Sequence, residues 1–216
     1  ALEKSLSNPE RPLIAIVGGA KVSTKLQVLE SLSRKVDQLI MGGGIANTFL
    51  SASGVNIGKS LCERELVGTA KKIMDSTNVP LPSDVVIAKD CHADSVPVVK
   101  AVSEIEDDDI ILDIGPETAR NFSDLIESMR TVIWNGPMGV FEFPQFSRGT
   151  ESIALAVARN EGFSIAGGGE TIAAIDRFAV GNDISYISTG GGAFLEFVQG
   201  GQLPAVQILK EKSNNF

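Results

Sequence analysis

The chain has 216 residues, 43% of them hydrophobic, and a formal net charge of −8. That balance describes a folded globular chain rather than a disordered one. It argues against a nucleic-acid backbone as partner, and no apolar run approaches the ~20 residues of a membrane span. Two cysteines, Cys62 and Cys91, suit a reducing cytoplasm better than a disulfide framework. The single histidine, His92, adjoins Cys91 in AKDCHADS without the further ligands zinc needs, so this pair reads as an ordinary polar loop.

In chain order, ALEKSLSNPERP reads as a helix end running into a linker. Residues 1–11 are therefore expected to be a linker region, and the chain one piece of a longer protein. LIAIV follows and stops at Gly18 and Gly19; Val22, Leu26, Leu29 and Ser33 then share a helical face. QLIM stops at Gly42, Gly43 and Gly44, and Ile45, Phe49 and Ala52 mark the next helix. Ala70, Ile73 and Met74 mark another, before DVVIA at 84–88, which ends in a polar loop. SVPVVKAVS reads as a small antiparallel excursion. IILDI stops at Gly115-Pro116, with Phe122, Leu125, Ile126 and Met129 on a helix behind it. TVIW stops at Asn135-Gly136-Pro137, followed by a helix with Ile153, Ala154, Val157 and Ala158. FSIA stops at Gly167 to Gly169, and ISYIST at Gly190 to Gly192.

Continuous apolar runs mark strands buried on both faces, and their alternation with helices predicts a Rossmann-like parallel sheet covered on both sides. Nothing divides residues 12–210, so they read as one domain. In such a sheet the strand C-termini share one edge, and ligands bind in the crevice outside it. Six glycine clusters on that edge predict a floor of bare N–H groups and helix starts, which favours phosphate.

No P-loop occurs, and no GxGxxG follows the first strand. Instead GGAKVSTK places Lys21 and Lys25 four apart at an expected helix start, on one face. Lysine is disfavoured at a helix N-terminus unless an anion sits there. In WNGPMGVFE, Asn135, Gly136, Pro137 and Gly139 form a rigid turn beside Trp134, the only tryptophan. Val140 and Phe141 are expected to wall a slot for a flat base, and Glu142 to accept from ribose hydroxyls. SIAGGGET puts Glu170 directly after the glycines, where a carboxylate suits magnesium held with phosphate oxygens and water.

GGAKVSTK, LIMGGGIANTFL, LDIGPET, VIWNGPMGVFEFPQFSRGT, SIAGGGET and ISYISTGGGAFLEF, in this order and spacing, resemble the C-terminal, nucleotide-binding half of phosphoglycerate kinases. The resemblance covers essentially the whole chain. It implies a cytoplasmic, monomeric two-domain kinase with no membrane or nucleic-acid partner. That enzyme reversibly transfers the acyl phosphate of 1,3-bisphosphoglycerate to ADP with magnesium, giving ATP and 3-phosphoglycerate in glycolysis. The phosphoglycerate is held by an N-terminal domain that lies outside this sequence, so the chain alone is expected to bind nucleotide without turnover. By the same resemblance Lys21 reaches the transferring phosphoryl group, and Lys25 holds the nucleotide phosphates. Gly19, Ala20, Gly43 and Gly44 line the adenine site, with Leu61 and Leu112 as apolar walls. Asn135 and Pro137 lie near phosphates and base, Val140 near sugar and base, and Glu142 binds the ribose. Gly168, Gly169 and Thr171 form the phosphate-cradling helix start, with Lys21, Gly168 and Gly169 as the catalytic set, and Thr189 is a hinge position. The family pattern has aspartate where this chain has Glu170, which leaves open whether the carboxylate meets magnesium directly or through water. Two other readings stand beside this one: a non-catalytic nucleotide-binding module, and, against the missing GxGxxG, a dehydrogenase.

Overall fold

Strand β1 (Leu13–Gly18) is buried along its whole length. The reason lies in its alternation: Leu13, Ala15 and Val17 pack to one side, Ile14 and Ile16 to the other. The computed structural model describes residues 9–189. Within them β1 is followed by α1 (Leu26–Ser33), β2 (Gln38–Gly42), α2 (Gly43–Ala52) and α3 (Val67–Ser76). Next come β3 (Asp84–Ala88), β4 (Val98–Ala101), β5 (Ile110–Ile114) and α4 (Pro116–Glu127). The last group is β6 (Thr131–Asn135), α5 (Arg148–Arg159), β7 (Phe163–Gly167), α6 (Gly169–Arg177) and β8 (Tyr186–Ser188).

Five strands form a parallel sheet in the order β2-β1-β6-β7-β8. On one face Ile14, Ile16, Ile40 and Trp134 pack against Phe122, Ile126, Ile153, Val157 and Ile175 from α4, α5 and α6. On the other face Val17, Leu39, Met41 and Ile165 meet Leu29, Leu32, Phe49 and Ile73 from α1, α2 and α3. Burial on both faces is what the unbroken apolar strands required. Among the described residues no helix is long and apolar enough to cross a membrane.

The antiparallel excursion is larger than the sequence reading allowed. β3, β4 and β5 form a separate three-stranded sheet in the order β4-β3-β5, antiparallel throughout. Between β3 and β4 no α-helix intervenes and the connection is shorter than the dozen or more residues of a parallel crossover, so β4 returns antiparallel; β5 then pairs with the other edge of β3, running in the direction of β4. Gly115-Pro116 therefore does not sit on the parallel edge. A Cβ on Gly115 would meet the Asp84 carboxylate at 2.2–2.6 Å, and Pro116 opens α4, whose Glu117 and Thr118 N–H groups donate to that carboxylate. Among the described residues four glycine clusters follow strands of the parallel sheet, and Gly190 to Gly192 lie outside those residues, as does most of the expected linker.

The helix after β1 also starts later than its periodicity predicts. Residues 21–25 form turns, and Lys25 is the N-cap of α1. Thr24 Oγ1 donates to the Lys21 carbonyl at 2.8 Å, and Ser23 is drawn toward Glu63. Such side-chain bonds compete with the helix ladder. Lys21 and Lys25 consequently do not share a helical face.

Candidate functional site

The connections from β1 lead in opposite directions, to β2 on one side and to β6 across the other. This is the switch point of the sheet, where open α/β sheets bind their ligands. The loops after β1 and β6 touch there, backbone to backbone. A Cβ on Gly18 would lie 1.8 Å from the Pro137 carbonyl oxygen, and one on Gly136, at φ +108°, 2.2 Å from that of Gly18. A Cβ on Gly44 would lie 2.2 Å from Ala20 O, and Ile45 N–H donates to Gly19 O at 3.1 Å. Most of the glycine edge is thus glycine because the loops press on one another. Gly169 is different: a Cβ there meets nothing within 4 Å among the described residues.

A cleft of about 470 Å³ opens above these contacts. Its floor takes Gly19 and Ala20 from the loop after β1, Gly43 and Gly44 from the start of α2, and Pro137 from the loop after β6. Leu61, Leu112 and Val140 give it apolar walls, and Glu142 and Glu170 give it carboxylates. Leu61 is 49% exposed, an apolar side chain that the fold itself leaves uncovered. The small antiparallel sheet supplies much of one side through Val85 and Ile110 to Ile114.

Ten of the residues singled out in the sequence line this cleft together: Gly19, Ala20, Gly43, Gly44, Leu61, Leu112, Pro137, Val140, Glu142 and Glu170. Others adjoin it or serve the scaffold. Lys25 Nζ donates to the Gly18 carbonyl and, at 3.3 Å, to that of Asn135, so it sits where β1 and β6 end. Burial pulls its pKa down to about 8, against the raising effect of the nearby Glu170 charge. Lys21 is exposed on the turn beyond Ala20. Gly168, at φ +101°, is the N-cap of α6, whose first N–H groups have no intrahelical partner. Glu170 is exposed in the first turn, and its carboxylate accepts no hydrogen bond among the described residues. Thr189 is exposed just past β8.

One expectation needs correction, and two further residues have side chains held by the scaffold. Phe141 walls no slot: it is 5% exposed and packed into the core with Trp134 and Ile153, leaving Val140 alone at the cleft. The Thr171 hydroxyl is committed elsewhere, accepting from Gly136 N–H at 2.7 Å and donating to Gly167 O at 2.8 Å. It pins the loop after β6 to the loop after β7. Asn135 is likewise buried, its Nδ2 donating to Gly167 O while its Oδ1 has no partner among the described residues.

The cleft also holds residues that the sequence reading passed over. Asn47, Lys59, Cys91 and Asp113 all line it. Asn47 is 3% exposed, donates through Nδ2 to Leu61 O at 3.2 Å and leaves Oδ1 unpartnered. A polar residue inside the apolar IANTFL face was the available signal. Asp113 is 2% exposed, and burial pushes its carboxyl up to about 7, although the N–H groups of Gly149 and Ile114 both donate to it. Cys91, which the sequence groups with His92 in a polar loop, has its thiol pKa raised by burial and then by the nearby Glu142 charge. Nothing local in AKDCHADS carries that proximity.

A twisted parallel sheet flanked by helices, with a cleft at its switch point, defines an α/β domain of the Rossmann-like class. The sequence model of the phosphoglycerate kinase family matches residues 1–201. Among solved structures, phosphoglycerate kinase from Coxiella burnetii superposes with a TM-score of 0.92 at 48% identity, over 98% of this chain. Phosphoglycerate kinase from Pyrococcus horikoshii OT3 does so with a TM-score of 0.84 at 30% identity, over the whole chain. The chain belongs to the phosphoglycerate kinase family. It spans 56% of the length of each of those two proteins.

Proposed function

We propose that residues 1–216 are the C-terminal, nucleotide-binding domain of a two-domain kinase, with 1–11 as its linker. The domain binds ADP or ATP with magnesium. In the complete monomeric, cytoplasmic enzyme the acyl phosphate of 1,3-bisphosphoglycerate passes reversibly to ADP, giving ATP and 3-phosphoglycerate in glycolysis. The N-terminal domain binds the phosphoglycerate. One observation carries this reading: a single cleft joins apolar walls, among them the half-exposed Leu61, to the glycine floor and to Glu170 at the start of a helix.

The base lies between Leu61, Leu112 and Val140 over Gly43 and Gly44, and Glu142 accepts from the ribose hydroxyls. Polyphosphate reaches Gly19 and Ala20 and the first N–H groups of α6 at Gly168 and Gly169, where bare donors and the helix dipole favour anions. Lys25 binds those phosphates from the ends of β1 and β6, while Lys21, exposed on its turn, follows charge on the moving phosphoryl oxygens. Phosphoryl transfer asks the protein mainly for position and charge stabilisation. Glu170 fits a magnesium ligand, being a hard oxygen donor exposed in the cleft with no hydrogen bond among the described residues. Magnesium, when bound, neutralises charge on the phosphate oxygens.

Calorimetry on the chain should show binding of Mg-ADP, weaker binding when magnesium is withheld, and none of NADH at the same concentrations. A coupled assay on the chain alone should show no efficient turnover. No heat with Mg-ADP, or preference for NADH, overturns the reading.

A further inference from the structure

Lys21 stands on a turn that the chain does not hold by itself. Residues 21–25 lie outside α1 and are exposed at Lys21, Ser23 and Thr24. Their local bonds are few: Thr24 Oγ1 to the Lys21 carbonyl at 2.8 Å and Lys25 N–H to Val22 O at 2.9 Å. Val22 is buried in the core and Lys25 is anchored to Gly18 and Asn135, while Ser23 between them is gripped by one side chain forty residues away. Glu63 Oε2 accepts the Ser23 N–H at 2.8 Å, and Oε1 accepts the Ser23 hydroxyl.

Glu63 is in turn fixed to the cleft. Its own N–H donates to Thr48 Oγ1 at 3.2 Å, and that hydroxyl donates to Gly44 O at 3.2 Å. Two residues earlier the same strap carries Leu61, whose carbonyl accepts Asn47 Nδ2. A continuous set of bonds therefore runs from the glycine start of α2, through the strap with its apolar wall, to the turn that bears Lys21. Burial acts to raise the Glu63 pKa, but the Ser23 hydrogen bonds, the Val22 N–H and the Lys21 charge together hold it below the ordinary carboxylate range. Glu63 is therefore a carboxylate at neutral pH, able to accept from both Ser23 donors at once.

We propose that Glu63 is a positioning residue: by gripping Ser23 it sets the turn that presents Lys21 to the transferring phosphoryl group, and it ties that turn to the wall carried by Leu61. This rests on the reading of the cleft as a nucleotide site. Lys25 is anchored separately, by the carbonyls of Gly18 and Asn135. Losing Glu63 should accordingly disturb Lys21 while leaving nucleotide binding in place.

The test is a double-mutant cycle in the full-length enzyme that carries this domain. Glu63→Gln replaces one acceptor oxygen with a donor that faces another donor. It should lower kcat about tenfold with the KM for nucleotide within about twofold. In a Lys21→Ala background the same change should have little further effect on kcat, because residues acting through one another are not additive. Glu63→Asp, which keeps both acceptors and the charge, should restore part of the loss, and thermal melting should place all variants close to wild type. A purely structural role would lower kcat by the same factor in both backgrounds, and that result overturns the proposal. So does wild-type kcat in Glu63→Gln. If Lys21→Ala itself leaves kcat unchanged, the catalytic reading of Lys21 falls and takes this inference with it. If wild type binds no Mg-ADP, the nucleotide reading itself has failed.

Discussion

Two glycine-to-alanine changes separate the two reasons for glycine on this edge. At Gly44 the new methyl would lie 2.2 Å from Ala20 O, more than an ångström inside ordinary contact, and its neighbour is backbone. The loop after β1 has to move, which costs about 1–3 kcal/mol on the scale of overpacked sites. At about 2–4 °C per kcal/mol for a domain of this size, Tm should fall by roughly 2–12 °C. At Gly169 the methyl meets nothing within 4 Å, and the residue opens α6 without a positive φ. Alanine there should be neutral or stabilising by up to about 1 kcal/mol, through the unfolded chain. Its effect should appear in the ligand instead. If phosphate oxygens use that space, the methyl displaces at least one charge-assisted hydrogen bond, worth about 1.5–3 kcal/mol. That corresponds to a loss of roughly 10- to 100-fold in Mg-ADP affinity. Melting curves and calorimetry on both variants check the pair. A Gly169→Ala chain that melts at or above the wild-type temperature and binds Mg-ADP with wild-type affinity refutes the cradle at α6.

Phosphate binding favours charged Lys25, whose pKa in the free protein is lowered to about 8, so nucleotide affinity should be complete below pH 8 and decline as pH rises through it. Lys25→Ala should bind more weakly and lose that pH dependence, as isothermal titrations from pH 6.5 to 9.5 will register. In the full-length enzyme Glu170→Gln should severely impair magnesium-dependent transfer while Glu170→Asp stays active; near-normal kcat and magnesium response in Glu170→Gln would leave the metal to phosphates and water alone. Asp113 has a folded pKa raised to about 7, so it favours the native state fully below its unfolded value near 3.8 and loses that contribution as pH climbs through 7. Urea unfolding should therefore show wild type losing stability relative to Asp113→Asn between pH 4 and pH 8, and parallel pH profiles would contradict the assignment.

Strands and helices were legible because each left its own period in the chain. β1, β2, β6 and β7 are unbroken apolar runs, and both faces of each are covered, so local composition already stated their environment. The stops were legible too, since glycine after an apolar run marks a place where a side chain cannot go. What the chain could not state was which neighbour forbids it. Gly18 and Gly44 are excluded by protein backbone, Gly169 by nothing among the described residues, and that distinction exists only once loops from β1, β2 and β6 converge. The same holds for β5, an apolar strand like the rest, which pairs antiparallel with β3 in a sheet of its own, a partner that its composition does not name. Periodicity extended the first helix to Val22, but Ser23 prefers a carboxylate forty residues downstream, and a pairing at that separation has no local trace. The sequence by itself determined the elements, their stops and the chemistry gathered at one edge. Tertiary structure decided which groups remain free to act, because a hydroxyl such as that of Thr171 or an aromatic ring such as Phe141 is available to a ligand only if no other part of the chain reaches it first.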